Sequence, residues 1–577
     1  MNDIRRTILW VIFGFSMVLL WDQWQVYNGH KATFFPSPVS QQAAKAPAVA
    51  TPASVPGGVS GAMATAATPA VPGAAPAAAG LMPAGAAPAA AREIIQISTD
   101  VLKLSFDSEG GSLVRAEMRQ HVAGPGHEGD FVLLEQSPDR VYVAESGLIA
   151  PPTQAGVQYP NHKTPMTAVP GPRSLADGQN ELVLRFESAE VGGVKLVKTY
   201  TLERGSYAIG VRHEVVNTGA VAVLPQLYVQ LVRDGNKPQG ESSFYSTFTG
   251  PAIYTEAKKY QKIDFKKIED GKADFDKSTT QGYVAMVQHY FASAWLLPDG
   301  TQREMFARKV DTNLYSVGMI VPLDAIAPGA SKGLDAKLYA GPEEEKKLEA
   351  LYPGLELVKD YGWLTILSKP LYWLLDKLHS FIGNWGWSIV ALVVLLKIAF
   401  YWLNAKAYAS MAKMKAINPK IMEMRERLKD KPQEMQQQMM KIYREEKVNP
   451  MGGCLPIMIQ IPVFIALYWV LLSTVEMRNA PWILWIHDLS AKDPIYILPT
   501  IMTLSSLLQT ALNPAPPDPM QAKMMWIMPL MFSVMFYAFP AGLVLYWITN
   551  NLLSIAQQWI INTRMGVPPK FNLPSFK

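Results

Sequence analysis

Hydrophobic residues are spread unevenly along this chain of 577 residues. The first apolar stretch, residues 8–20, follows Arg5 and Arg6 and is closed by Trp21. Basic residues before such a stretch hold that end of the chain in the cytoplasm, and tryptophan is typical of the opposite membrane interface. Polar residues occupy the positions where a small-residue cleavage site would follow. We therefore predict an uncleaved signal anchor over residues 1–27, with a cleaved signal peptide as the alternative.

The next segment, residues 28–91, is dominated by Ala, Pro, Gly, Val, Thr and Ser. Side chains this small cannot bury enough apolar surface to offset the entropy lost on ordering. We interpret the segment as a linker.

Beyond the linker the pattern changes to the alternation of β-strands. Leu102, Leu104 and Phe106 alternate with polar residues, which is the period of a half-buried strand. Residues 194–202 and 207–216 flank a short polar segment that predicts a hairpin turn. Because strands and turns continue without a convincing helical period, we predict a large β-sandwich domain over residues 92–350, outside the cytoplasm.

Residues 355–380 have an amphipathic, aromatic-rich pattern interrupted by Lys359, Lys369 and Asp376. Too polar to span a membrane, this segment is predicted to be a helix lying in the outer membrane interface. Pro370 is expected to kink or break it. The alternative is a helix at the domain edge that packs on the sandwich.

The last 200 or so residues hold five further apolar spans, separated by loops of different charge. The loop 404–450 and the tail 563–577 are rich in Lys and Arg, which assigns both to the cytoplasm. The spans are predicted near residues 387–403, 455–472, 495–512, 524–539 and 543–561. Together with the anchor they give six spans with both termini inside, and a five-helix membrane core over residues 386–562.

Lys397 is the one charged residue in the apolar segment 389–403. A charge at the centre of a membrane helix costs about 2.5–3.5 kcal/mol on insertion scales, so it usually marks a polar pathway. Polar side chains at similar depth in other spans favour a water-accessible cavity; among them are Gln460, Ser505, Gln509 and Asn550. Snorkelling of the lysine to the headgroups is the alternative for Lys397. Interhelical hydrogen bonding is the alternative for its neighbours.

Methionines recur at helical spacing along the basic cytoplasmic loop. They are Met411, Met414, Met424, Met435 and Met439. The pattern predicts a helical hairpin whose flexible, polarizable stripe accepts varied partners. The alternative is that the two stripes simply pack against each other.

Several kinds of chemistry find no support in the sequence. It contains no phosphate-binding G-x-x-x-x-G-K-[ST] loop, no H-E-x-x-H zinc motif and no nucleophile elbow. The single Cys454 excludes an intramolecular disulfide. No basic run interleaved with aromatic residues indicates nucleic-acid binding. We therefore expect neither an enzyme nor a protein with a metal or cofactor.

The stretches 449–456 and 460–464 resemble the signature of the YidC/Oxa/Alb family of membrane-protein insertases. Further stretches resemble the Gram-negative bacterial YidC branch: 360–365, 383–388, 485–490, 518–521 and 539–546. The resemblance implies a periplasmic β-supersandwich similar to that of sugar mutarotases. It also implies a five-helix core with a hydrophilic groove open to the cytoplasm and to lipid.

The resemblance also assigns residues to the groove. The family's groove cation is usually arginine, and Lys397 occupies that place here, keeping the charge but losing the planar five-donor fork. Tyr546 and Trp547 match an aromatic pair that contacts substrates, and Ile461 and Pro462 match contact positions on an earlier helix.

The function that the resemblance implies is insertion and folding of inner-membrane proteins, alone or with the Sec translocon. Its implied partners are newly made membrane proteins, ribosomes and signal-recognition components, and the lipid bilayer. One alternative is a channel or secondary transporter with Lys397 as an anion site. The other is a membrane-tethered sugar-binding or sugar-active protein, which requires carboxylates and histidines clustered in a cleft of the sandwich. The sandwich histidines are His121, His127, His162, His213 and His289.

Overall fold

The computed structural model describes residues 92–123, 129–154, 156–238, 247–428, 431–446, 455–513, 519–566 and 571. The predicted signal anchor and linker, residues 449–454 of the resemblance, His127 and most of the basic tail lie outside these ranges.

Eighteen strands are formed by the described residues between 94 and 342. The first nine are β1 (Ile94–Ser98), β2 (Leu102–Asp107), β3 (Ser112–Val122), β4 (Asp130–Gln136), β5 (Val141–Ile149), β6 (Met166–Ala168), β7 (Glu181–Ser188), β8 (Val194–Glu203) and β9 (Ala208–Asn217). The others are β10 (Gln226–Asp234), β11 (Gly250–Thr255), β12 (Lys259–Lys262), β13 (Ser278–Thr279), β14 (Tyr283–Gln288), β15 (Phe291–Leu296), β16 (Arg303–Asp311), β17 (Leu314–Pro322) and β18 (Ser331–Pro342).

These strands form two antiparallel sheets of nine strands each. The first sheet has the order β1-β2-β3-β4-β5-β10-β17-β16-β13, and the second has the order β12-β11-β14-β15-β18-β9-β8-β7-β6. One continuous apolar core, which includes Phe106, Trp295 and Leu338, fills the space between them. The predicted β-sandwich is therefore confirmed.

The predicted hairpin joins β8 to β9, and their register pairs Leu202 with Ile209. Gly205 in its turn has φ +72°, a conformation that glycine adopts without steric cost. The half-buried pattern predicted for β2 is wrong on its polar face, because Ser105 and Asp107 are also buried. Arg92 covers Asp107 with a salt bridge, which the alternation of residue types alone does not reveal.

Ten helices accompany the sheets in the described residues. They are α1 (Phe265–Glu269), α2 (Glu345–Leu351), α3 (Thr365–Ile382), α4 (Trp385–Ala399), α5 (Tyr401–Arg427), α6 (Pro432–Glu445), α7 (Leu455–Ser473), α8 (Ile497–Leu512), α9 (Pro519–Phe536) and α10 (Ala541–Arg564). A second apolar core joins α3, α4, α7, α8 and α10, with members such as Leu375, Leu467 and Val544. The sequence thus predicted a sandwich followed by an α-helical region correctly.

The segment 355–380 differs from the single amphipathic helix that its pattern predicts. It contains two short 3-10 turns, Leu355–Val358 and Gly362–Leu364, before α3 begins. Leu355 and Val358 lie in the sandwich core, beyond the predicted domain end at residue 350. The chain runs through Pro370 inside α3, so the expected break does not occur.

No single helix among the described residues combines the length and apolar composition needed to cross a membrane. The pair α4 and α5 meets that test together, bent by 68° at the break between them. At the break, Phe400 has φ −92° and ψ 9°, outside the helical region.

The sandwich and the helical region meet through side chains that follow α7. Arg478 donates a hydrogen bond to the carbonyl oxygen of Val122 at 2.8 Å. Its guanidinium carbon lies 4.8 Å from the centre of the Phe131 ring and 5.3 Å from that of Phe291. This cation beside two stacked strand aromatics ties the helical region to β3, β4 and β15.

Candidate functional site

Lys397 lies near the end of α4, three residues before the break at Phe400. Its Nζ donates a hydrogen bond to the Ser554 hydroxyl of α10 at 2.7 Å. Ser554 in turn donates to the backbone carbonyl of Asn550 at 2.7 Å. The lysine therefore points inward, toward α10.

A small cavity of about 30 Å³ surrounds this lysine, enough for ordered water in a polar setting. Residues of α4, α5, α7 and α10 line it: Val393, Leu396, Lys397, Phe400, Leu403, Asn404, Gln460, Val463, Tyr546 and Asn550. One cation, three amide side chains and one phenol thus converge among apolar groups. Such a site offers donors and acceptors to a polar group that would otherwise lie in hydrocarbon.

Gln460 and Asn550 form a direct hydrogen bond across the cavity. Gln460 Nε2 donates to Asn550 Oδ1 at 2.7 Å, which joins α7 to α10. Tyr546, one turn earlier on α10, is 3% exposed and stacks on Phe464 with 5.9 Å between ring centres. The α10 wall of the cavity is therefore fixed by contacts with α7.

Three predicted residues do not line the cavity: Trp547, Ile461 and Pro462. Each is the neighbour in sequence of a residue that does. Trp547 packs against Phe464 in an edge-to-face pair at 4.6 Å. Ile461 is 49% exposed on the surface of α7.

Ser505 and Gln509 of α8 also lie away from the cavity. Ser505 accepts a hydrogen bond from Asn551 Nδ2 at 3.1 Å, and Ser506 accepts from the same nitrogen at 2.9 Å. Asn551 follows Asn550 and so points about 100° around the α10 axis from it. The shared depth of these polar residues thus conceals two separate networks on two faces of one helix.

Asn404 is a lining residue that sequence reasoning missed. It is 7% exposed and belongs to α5, whereas the sequence placed it at the start of a loop. Because the chain bends by 68° at Phe400, between Lys397 and Asn404, the spacing of these two residues along the sequence did not signal that they share a cavity. Ser554 was missed as the partner of Lys397, because that contact joins residues 157 apart in the chain.

The predicted cytoplasmic hairpin consists of α5 and α6. Ile417, Ile421 and Met424 are buried between the helices, and Met414, Met435 and Met439 pack against them. Met411 is half-buried and lies outside this cluster. Most of the methionine stripe is therefore covered by the hairpin itself, while Met422 and Met440 are more than half exposed. The helix α5 continues through Pro419.

Within the described ranges, no group of three or more His, Cys, Asp or Glu residues is arranged to hold a metal ion. The cavity's own groups are one ammonium, amides and a phenol. They offer hydrogen bonds and positive charge to a ligand.

Fold and cavity together define a class of protein: a large β-sandwich joined to a helical region that holds one cation in a small polar cavity. Comparisons with known proteins agree with this class and name the family. The family model described as YidC periplasmic domain matches residues 94–374, and the model described as 60Kd inner membrane protein matches residues 377–567. A membrane protein insertase YidC from Cupriavidus metallidurans is 56% identical over 98% of both chains.

The chain belongs to the YidC family. Its family models describe an inner membrane protein with a periplasmic domain, and its relatives are named as insertases. Neither alternative activity, transporter or sugar-active protein, is favoured.

Two solved structures show more distant likeness. An active YidC insertase crystal structure is similar over 80% of this chain and 91% of its own, with a TM-score of 0.38 and 19% identity. A galactose mutarotase related enzyme from Lactobacillus acidophilus is similar over 43% of this chain and 97% of its own, with a TM-score of 0.29 and 8% identity.

Proposed function

We propose that this protein inserts integral proteins into the bacterial inner membrane and helps them fold, through a polar groove centred on Lys397. The observation that carries the proposal is the inward hydrogen bond from Lys397 Nζ to Ser554, within a cavity shared by four helices. The names of close full-length relatives support it as well.

The mechanism is physical and involves no covalent step. The hydrophilic flank of a client must cross hydrocarbon, where each unsatisfied polar group costs several kcal/mol. A wet groove with a cation shortens that path and gives an acidic or polar flank a temporary partner. The client's transmembrane helix then partitions into lipid, and the membrane potential adds about 2.3 kcal/mol per charge per 100 mV for acidic flanks moving outward.

The side chains of the cavity have distinct roles in this proposal. Lys397 attracts the flank as a point charge, and Gln460 and Asn550 exchange hydrogen bonds with it. Tyr546 and Trp547 offer an aromatic surface to the client helix, next to Ile461 and Pro462. Ser505 and Gln509 of α8 lie outside this cavity, and Ser505 instead joins α8 to α10 through Asn551. The methionine-lined hairpin meets the client or its carrier in the cytoplasm.

The arrangement of the chain in the membrane is also part of the proposal. Both termini are cytoplasmic, the anchor 1–27 and five core helices span the bilayer, and the sandwich is periplasmic. Helix α3 lies at the outer interface, which is supported by three exposed apolar side chains: Ile366 at 94%, Phe381 at 87% and Trp373 at 60%. The Sec translocon, ribosomes and signal-recognition components are the proposed partners.

The test is insertion of a short single-span client with an acidic flank into proteoliposomes that hold this protein alone. Lys397→Arg should insert the client at a rate similar to that of wild type, while Lys397→Leu should lose at least tenfold. The matched control is Lys406→Leu, because Lys406 is exposed and its ammonium lies 3.7 Å from the Trp402 ring centre. The control should insert normally.

Two results would count against the proposal. Full activity of Lys397→Leu would mean that no groove cation is needed. Absence of insertion by wild-type protein would remove the claim that the chain acts alone.

A further inference from the structure

The outer face of the first sheet holds a polar cleft of about 220 Å³. At ~30 Å³ per water molecule, this is room for about seven waters or one small ring compound. Its polar lining residues are Arg92, Asp107, Glu109, Ser112, Gln136, Glu145, His162, Lys163 and Gln230. None of them belongs to the cavity around Lys397, so the cleft is a separate feature.

Glu145 and Gln230 stand side by side on the floor of the cleft, on the paired strands β5 and β10. Gln230 Nε2 donates to Glu145 Oε2 at 2.7 Å, and Gln230 Oε1 accepts from the Ser316 hydroxyl at 2.9 Å. Because both ends of the amide are engaged, its orientation is fixed. The carboxylate is thereby held in one position while 18% of its side chain stays exposed.

His162 is held over the same carboxylate by Tyr228. The Tyr228 hydroxyl accepts from the backbone N–H of His162 at 3.1 Å and lies 2.5 Å from the ring nitrogen Nδ1. Burial lowers the pKa of His162, with the charge of Glu145 opposing it, so the ring is neutral at pH 7. With its one proton, the hydroxyl donates to Nδ1, and we assign the imidazole proton to Nε2.

The Nε2 donor and the Glu145 Oε2 acceptor are 3.9 Å apart, too far for a direct hydrogen bond. A ligand hydroxyl about 2.8 Å from both atoms would accept from Nε2 and donate to the carboxylate. Ser112 offers a second hydrogen-bonding group to a ligand hydroxyl. Its Oγ is buried in the cleft wall and has no hydrogen-bond partner among the described residues.

Charges at the cleft disfavour an anionic ligand. Arg92 and Lys163 face three carboxylates, those of Asp107, Glu109 and Glu145. Arg92 is itself engaged by Asp107, with which it forms a salt bridge, and lies 3.5 Å from Glu109. With a neutral His162, the cleft is slightly negative and rich in both donors and acceptors.

We propose that this cleft binds a neutral, hydroxyl-rich molecule of monosaccharide size, with one hydroxyl bridging His162 Nε2 and Glu145 Oε2 and another reaching Ser112. Hydroxyl groups fit because each can donate and accept at once. The site adds ligand binding in the periplasm to the insertase role and does not depend on that role.

The test is calorimetry or saturation-transfer NMR on the full chain in lipid nanodiscs, since detergents with sugar headgroups would compete. The probes are D-glucose and D-galactose, with cyclohexanol as a ring of similar size that has a single hydroxyl. We expect saturable binding of at least one sugar with a dissociation constant on the order of 1 mM, and none of cyclohexanol. Methyl β-D-galactoside distinguishes two sources of the ligand. Binding equal to that of D-galactose indicates the terminal sugar of a glycan chain, and loss of binding indicates a free sugar.

Variants of the cleft decide where the sugar binds. Glu145→Gln should weaken binding at least tenfold, and Ser112→Ala, which removes only an unpartnered hydroxyl, should weaken it severalfold. The control is Glu187→Gln on β7 of the other sheet, an exposed partner of Arg185, which should bind as wild type does. Absence of saturable sugar binding to wild type would overturn the proposal. So would unchanged affinity in Ser112→Ala and Glu145→Gln.

Discussion

Lys359 Nζ and Glu476 Oε2 lie 3.5 Å apart and join the end of the sandwich to the turn that follows α7. The Lys359 side chain is fully buried, and its ammonium lies 3.9 Å from the centre of the Tyr372 ring. Tyr372 donates its hydroxyl hydrogen to Glu476 Oε1 at 2.7 Å. A buried cation is thus balanced by the Glu476 carboxylate of the α7–α8 connection and by two aromatic faces, those of Tyr372 in α3 and, at 5.5 Å, Tyr361.

Removing one member of this pair should destabilise the junction strongly. Lys359→Met leaves the carboxylate without its cation, and breaking a buried pair costs about 3–5 kcal/mol. We expect a lower melting temperature in lipid nanodiscs, and partial recovery in the double variant Lys359→Met/Glu476→Gln. The control is Lys346→Met, because the Lys346 side chain is 71% exposed and its pair with Asp376 is worth about 1 kcal/mol or less. Equal melting temperatures for the Lys359 and Lys346 variants would contradict the prediction.

The sandwich should lose stability in mild acid. Complete burial, reinforced by the charge of Lys198, lowers the pKa of His213 from 6.5 to about 3. Between these values the unfolded chain binds more protons than the folded one, so the free energy of unfolding falls as pH falls below 6.5. For this one histidine, the loss between pH 7.5 and 5 is about 2 kcal/mol.

The measurement is thermal unfolding of the full chain across this pH range. His213→Gln should reduce the number of protons taken up on unfolding by about one, and so reduce the slope of the free energy of unfolding against pH. His487→Gln, at an exposed position outside the sandwich, should have the slope of wild type. An unchanged slope in His213→Gln would rule out this histidine as a source of acid sensitivity.

Gln460 and Asn550 should act as a unit in the cavity around Lys397. Their hydrogen bond joins α7 to α10, so either alanine substitution removes it. We expect Gln460→Ala and Asn550→Ala each to slow client insertion severalfold, and the double variant to be little slower than either, a coupling of about 1 kcal/mol. Gln558→Ala, also on α10 but outside the cavity, serves as the control. Strictly additive effects would show that the two amides work independently.

The helical hairpin of α5 and α6 should depend on the buried side of α5. Met424 is 4% exposed in the contact with α6, whereas Met422 is 57% exposed. Met424→Glu should separate the helices and increase amide hydrogen exchange along α6, because it places a charge in an apolar contact. Met422→Glu adds the same charge on the open face and should leave exchange unchanged. Similar exchange in both variants would mean that the stripe does not hold the hairpin together.

Sequence patterns located the large elements well, because each depends on local periodicity. Strand alternation and turn residues predicted β8 and β9. Apolar runs predicted α4, α7, α8, α9 and α10 to within a few residues, except that the helical break at Phe400, which ends α4, was not predicted. The basic, methionine-rich loop predicted the helices α5 and α6. The break that Pro370 was expected to allow does not occur, since α3 continues through it.

The residues that line the cavity around Lys397 could be predicted only in part. Lys397 stood out because a charge in an apolar run is costly, and Gln460, Tyr546 and Asn550 were found with it. Ser505 and Gln509 were grouped with them because they lie at a similar depth. Depth along the membrane normal does not determine which side of α10 a residue contacts. Asn404 was missed because the chain stays helical beyond the break at Phe400.

Local sequence patterns were enough to predict a β-sandwich followed by a helical region, to indicate the family and to single out the charge of Lys397. The partners of Lys397 and the cleft at Glu145 and His162 became visible only once the chain was folded. Only the tertiary structure decided how Lys359 and Arg478 bind the two halves together. Periodicity reports on neighbours within a few residues of each other. These sites join groups that are far apart in the chain, such as Lys397 and Ser554, and only packing brings such groups within hydrogen-bonding distance.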